Sequence, residues 1–238
     1  MAADTSPVLE LRSVRKAYGG LRPLRLDALT LARGESAAVL NLEMPAVEVL
    51  MNLVTGVTLP DEGEVRLFGR ATASIENGDE WLALLDRLGI ISERVVLLEQ
   101  LSIVQNLAVP FTLALDEIPA AVQPDIARLR SEVGLAEGML DELVGRAAPD
   151  ARIRLRLARA LALDPHLLLL EHPTAGLPRD GVERLARDIR TIAERRELTV
   201  LILTADRPFA EAAARNVFAH QPATGALTKS GGWTRWFR

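Results

Sequence analysis

From Val8 to Val14 the chain alternates apolar and polar residues, the period-two pattern of a strand with one face buried. Tyr18-Gly19-Gly20 reads as a turn, and Leu26 to Leu31 alternates again before stopping at Arg33-Gly34-Glu35. Ser36 to Leu40 is short and continuously apolar, as in a strand buried on both faces. Pro45 suits a first helical turn, Val47, Leu50, Met51 and Val54 follow at helical spacing, and Gly56 ends the helix. After the turn Pro60-Asp61-Glu62-Gly63, Glu64 to Phe68 reads as a strand.

Trp81 to Leu88 reads as a short helix, and Leu101 to Leu113 and Gln123 to Val133 as further helical stretches. Ala151 to Leu163 fits either period, but its Ala-Leu-Arg composition and length favour helix. Two more apolar strands, Leu167 to Leu170 and Leu198 to Thr204, flank a helical stripe of Val182, Leu185, Ile189 and Ile192; a helix over Arg207 to Arg215 follows. This order predicts an α/β fold: an antiparallel start, then strands alternating with helices around a sheet. The three continuously apolar strands are expected to lie parallel and adjacent, with a helical stretch at about residues 87–150 interrupting the alternation.

Composition narrows the function. Among 238 residues, 28 basic against 32 acidic side chains leave a net charge of −4, which argues against nucleic acid as a partner. Cysteine is absent, so disulfides and thiolate metal sites are excluded, and three scattered histidines predict no metal site. No signal-peptide core or apolar run of spanning length is present, so the chain itself is not expected to cross a membrane.

Several segments together resemble the nucleotide-binding subunit of ATP-binding-cassette (ABC) transporters. They are Gly34-Glu35 with the strand Ser36 to Leu40, Leu53-Val54-Thr55-Gly56, and Asp61-Glu62-Gly63-Glu64-Val65. Ala158 to Pro165, Pro173-Thr174-Ala175-Gly176-Leu177 and Leu198 to Thr204 continue the series, and Leu101 to Pro110 is similar to the lipoprotein-releasing and macrolide-export type. The resemblance implies a P-loop NTPase-like fold with an antiparallel β edge and an inserted helical subdomain. The expected division is one domain, 1–238: a RecA-like core over 1–86 and 151–217, a helical subdomain over about 87–150, and an aromatic tail over 218–238.

The same resemblance locates the family's functional positions, and most are substituted. The phosphate loop, whose glycines let backbone N–H groups curl around phosphate, is matched by Asn41 to Val49. Ala46 replaces a glycine, Val47 the phosphate-binding lysine, and Glu48 the hydroxyl that holds Mg²⁺, with Val49 after it; Pro45 removes an N–H. Glu43 and Glu48 are expected to put negative charge at a helix N-terminus where phosphate would lie. Glu171 and His172 stand for the metal-binding aspartate and the catalytic glutamate; a solvated strand-end histidine is the plainer account of His172. Ala147 to Ala151 match the signature, with Ala148 at its serine, Pro149 at a glycine and Asp150 adding a charge toward the phosphate position. Glu93 stands for the bridging glutamine, Pro178 for an aspartate, and Ala205 for the switch histidine, although Asp206 is retained. Tyr18 keeps the place of the aromatic that stacks on adenine, and packing alone would also explain it.

No catalytic residue, metal or cofactor is therefore expected. The reading is a degenerate, non-hydrolysing cassette subunit or scaffold, peripheral on the cytoplasmic face of a membrane. Its expected partners are an integral membrane permease and a second cassette, as homodimer or heterodimer. The segment Arg94 to Leu101 with Glu93 is expected to line a groove beside the helical stretch that meets the membrane partner. An ATPase subunit with unusual motifs, using ATP and Mg²⁺, and a soluble adaptor are the alternatives. The arginines at 152, 154, 156 and 159 read as a solvated helix face, and Trp233, Trp236 and Phe237 as a frayed tail or an interfacial anchor.

Overall fold

The computed structural model describes residues 6–20 and 22–230. The chain starts with strands β1 (Leu9–Lys16), β2 (Leu24–Leu31) and β3 (Ser36–Leu40), then helix α1 (Met44–Val54), β4 (Glu62–Leu67), β5 (Arg70–Ala71) and α2 (Gly78–Leu85). It continues through β6 (Leu88–Ile91), α3 (Ile103–Ala108), α4 (Gln123–Glu132), α5 (Pro149–Leu161) and β7 (Leu167–Glu171). Helix α6 (Arg179–Arg196), β8 (Thr199–Leu203), α7 (Arg207–Ala213), β9 (Asn216–His220) and β10 (Leu227–Lys229) complete the order. Short 3₁₀ turns at Ala120–Val122, Glu137–Met139 and Val144–Arg146 fill much of the region between α3 and α5.

Two sheets form. An antiparallel sheet runs β2-β1-β4-β5, and a six-stranded sheet runs β10-β9-β3-β8-β7-β6. In the second, β3 pairs parallel with β8 and β9, β7 with β8 and β6, and only β10 is antiparallel. The three continuously apolar strands are thus adjacent and parallel, as their composition predicts. Each is apolar throughout because each feeds two cores by turns. Ala38, Leu40, Leu168, Leu170, Val200 and Ile202 face the core built with α3 to α7. Ala37, Val39, Leu167, Leu169, Leu201 and Leu203 face α1 and the antiparallel sheet. The first sheet carries a bulge where the β1–β4 register shifts between Arg12 and Arg15. Ser13 is left-handed there (φ 47), and Gly63 (φ 83) lies so close that a Cβ would sit 2.3 Å from the Ser13 carbonyl.

The structure corrects several expectations. Leu88-Gly89-Ile90-Ile91 is the edge strand, paired parallel with β7, so Leu88 does not end a helix and the sheet extends past residue 87. Gly89 lets this strand approach α5: a Cβ would lie 2.5 Å from the Ala160 carbonyl. Helix α3 is shorter than the expected Leu101 to Leu113, starting at a Ser102–Gln105 capping box and stopping ahead of Pro110. The tail expected from 218 is sheet at β9 and β10; Trp233, Trp236 and Phe237 lie outside the described residues. Among the described residues no helix is long and apolar enough to cross a membrane.

Candidate nucleotide site

The carboxyl end of β3 is where a sheet of this kind presents its binding crevice. Here Asn41, Leu42 and Glu43 alone join β3 to α1. Asn41 is left-handed (φ 66), a conformation that glycine adopts freely and asparagine tolerates. Beyond Glu43 the chain is already helical: the Val47 N–H donates to the Glu43 carbonyl at 3.0 Å, and Pro45 has no N–H to offer. Of the backbone donors that would line a phosphate cradle, the Val47 N–H is thus used within the helix and Pro45 supplies none. Val47 is fully buried and Ala46 nearly so, both packed into the core beneath α1, while Val49 is partly buried against it. The side chain at the lysine position points into the protein.

Glu48 is exposed, and its carboxylate pairs with Arg94 Nη1 at 3.0 Å. The same guanidinium reaches Glu171 at the end of β7 through Nη2, also at 3.0 Å. Glu171 is only 11% exposed and accepts a second hydrogen bond from Ser92 Oγ at 2.5 Å. The expected uncompensated charge at Glu48 is therefore corrected: an arginine neutralises it. His172 follows with a left-handed backbone (φ 43), its N–H donating to the Leu203 carbonyl. Its Nε2 is buried without a hydrogen-bond partner among the described residues, so it is not the solvated histidine expected.

At the signature positions, α5 begins with exposed Ala148 as a cap lacking a side-chain hydrogen bond, then Pro149. Asp150 does not face outward. Its Oδ2 accepts from Arg154 Nε one turn along the same helix, at 2.8 Å. Arg154 is 6% exposed and also bonds the Val133 carbonyl and Asp188, so the arginine run is not a solvated face. Arg159 donates to the Val96 carbonyl, and burial followed by the nearby Arg152 charge pushes the Arg156 guanidinium down. Glu93 is exposed and, with Val96 to Leu101, Arg152 and Arg156, lines an open groove of about 740 Å³. Ala205 is exposed, and Asp206 caps α7 by accepting from the Phe209 N–H at 3.0 Å; Pro178 precedes α6.

Tyr18 is half-buried beside a separate cavity of about 360 Å³ that Arg22, Glu43, Ala46 and His220 also line. Burial, then the Glu43 charge, pushes its phenol up. The residues present do not fit a magnesium nucleotide. Arg94 holds the two carboxylates at the metal positions, no cationic side chain stands at Val47, and the loop has no glycine nest. Arg94 is expected from sequence only as part of the groove lining, which it does not join, and Ser92 is not singled out; neither is legible as a partner of the two carboxylates.

A family model described as ABC transporter matches residues 49–175, more than half of the chain. This chain belongs to the ABC transporter family. The match opens at Val49, directly after the phosphate-loop positions Asn41 to Glu48. The methionine import ATP-binding protein MetN of Brucella abortus (strain 2308) is 26% identical over 203 residues, 85% of this chain and 54% of its own. The sulfate/thiosulfate import ATP-binding protein CysA of Methylococcus capsulatus is 26% identical over 205 residues, 84% of this chain and 56% of its own. The chain thus spans about half the length of these relatives. Among solved structures, cbiO1 from Clostridium perfringens, part of the cbiONQ complex, superposes with a TM-score of 0.75 at 21% identity, covering 94% of this chain and 87% of that one. The dimeric bacterial cassette MJ0796 gives 0.76 at 20% identity, covering 94% and 100%. The fold of this ABC family member is accordingly that of an ABC ATPase cassette.

Proposed function

We propose that this ABC family member is a non-hydrolysing subunit or scaffold that docks on an integral membrane permease at the cytoplasmic face of the membrane. The observation that carries the reading is the winding of the phosphate-loop positions into α1. With Val47 in the core, no side-chain cation stands at the phosphate position; its N–H is bonded to Glu43, and Pro45 has no N–H to add. The signature positions support the same reading, because Pro149 lacks an N–H and Asp150 is bound to Arg154.

The docking part rests on family membership and on the groove beside α5, where Val96 is 70% and Leu98 40% exposed. Pairing with a second cassette, identical or different, belongs to the same reading; MJ0796 is a dimer. The segment Leu101 to Pro110 favours a place nearest the lipoprotein-releasing and macrolide-export type, whereas MetN and CysA are named for import. Tyr18, Glu171 and His172 favour a second reading, an ATPase subunit with unusual motifs. Calorimetry of the purified chain with Mg-ATP separates the two: no binding at micromolar nucleotide is expected, and a micromolar Kd or turnover lost on His172→Ala establishes the second. Affinity purification from membranes tests docking; recovery of no integral membrane protein would favour a soluble adaptor.

A further inference from the structure

We propose that Arg94 is a built-in cation standing where a nucleotide site of this architecture would hold its divalent metal. The proposal rests on the reading of a site that takes no Mg-ATP. Glu48 and Glu171 come from different elements, α1 and the end of β7, and both aim a carboxylate at one point. Glu171, at 11% exposure, would be costly to leave as an unpaired anion. A planar guanidinium offers N–H groups on two separate nitrogens. Nη1 takes Glu48 and Nη2 takes Glu171, each at 3.0 Å. The arginine is itself anchored: its backbone N–H donates to Ser92 Oγ at 3.1 Å, and that hydroxyl donates to Glu171. One residue just past β6 therefore ties α1, β6 and β7 together without any ligand. A magnesium ion entering here would have to shed water and displace a guanidinium already ion-paired with both carboxylates.

The experiment is thermal denaturation of the purified full chain, chelator-treated, in MgCl₂ or MnCl₂ without nucleotide, against NaCl of equal ionic strength. Wild type should melt at the same temperature in all three salts. Arg94→Met should melt about 2–4 °C lower and recover with divalent cation but not with sodium. Adding Glu48→Gln to Arg94→Met should abolish that recovery. Arg94→Lys keeps the charge, guards against a variant that fails to fold, and should remain insensitive to metal. A wild type stabilised by divalent cation alone overturns the proposal, as does an Arg94→Met protein that melts like wild type and ignores metal. Calorimetry with Mg-ATP runs alongside. Tight binding by wild type overturns the functional reading and this proposal with it, whereas absent binding with an unperturbed Arg94→Met overturns this proposal alone.

Discussion

Val47→Lys restores the residue on which an intact phosphate loop would depend, and the structure predicts that it harms the protein without helping the site. Val47 is fully buried in the core shared by α1, β3 and the antiparallel sheet. Removing that side chain forfeits about 1.5–3 kcal/mol of burial. Four methylenes and an ammonium must then fit a packed space, adding about 1–3 kcal/mol of overpacking. The ammonium must in addition lose its charge or force its way to the surface past Glu43. A total of at least about 3 kcal/mol lowers the melting temperature by about 6–12 °C in a chain of this size. Urea denaturation should show the midpoint falling at nearly constant slope, and calorimetry should show no gain in Mg-ATP affinity. A variant as stable as wild type that binds Mg-ATP at micromolar concentration would refute the placement of Val47 and the functional reading built on it.

Burial alone would raise the Glu132 carboxyl, but two hydrogen bonds from Arg196 at 2.5 and 2.7 Å, with its charge and those of Arg128 and Arg195, outweigh it and hold it below the usual range. The stability this confers is complete above the unfolded value of about 4.3 and drains away as pH falls through the folded value. Glu132→Gln should therefore flatten the acid limb of the stability–pH curve, measured by urea titration, and an unchanged limb would refute the assignment. Gly63→Ala should cost at least about 2 kcal/mol, because φ is positive and the Ser13 carbonyl blocks a Cβ; denaturation at neutral pH checks it. Val96→Asp with Leu98→Asp should reduce recovery of membrane protein severalfold while leaving the melting temperature within a degree or two of wild type, since both side chains are exposed. Recovery equal to wild type would move the docking surface elsewhere.

The buried parallel strands were legible because each is apolar along nearly its whole length, and only a sheet covered on both faces requires that. The α5 ambiguity resolved toward helix for the reason composition suggests. The strand Leu88–Ile91 escaped because three apolar residues and a glycine carry no usable period, and the helical pattern ahead of them runs on into Leu88. Strands β9 and β10 escaped because they are short and of mixed polarity, β10 lying at the sheet edge. At the site, order and interval give an expected residue for each of the family's positions. The direction of the side chains could not. Sequence placed Asp150 toward a phosphate and Glu48 as a bare charge, but partners distant in the chain or one helical turn away bind both. Arg94 lies 46 residues after Glu48 and 77 before Glu171, and no local pattern couples them.

That coupling bears on what kind of loss the site represents. If ligand-binding residues were simply replaced at random, charges and backbone donors would be left facing one another without partners, each costing about 1–3 kcal/mol where buried. The pattern is different. The Asn41 backbone keeps the left-handed turn, the freed N–H of Val47 closes a helical turn, and Val47 itself fills core space. Glu48 and Glu171 share one guanidinium, and Asp150 and Asp188 share another. Several groups at these positions are thus satisfied from within, while His172 Nε2, Asp150 Oδ1 and Arg156 Nε are buried without a hydrogen-bond partner among the described residues. Such a crevice gains little from a ligand, because binding would have to break these contacts before forming its own. On the proposed reading, Arg94 holds the carboxyl end of β7 against α1 in place of a nucleotide-bound metal.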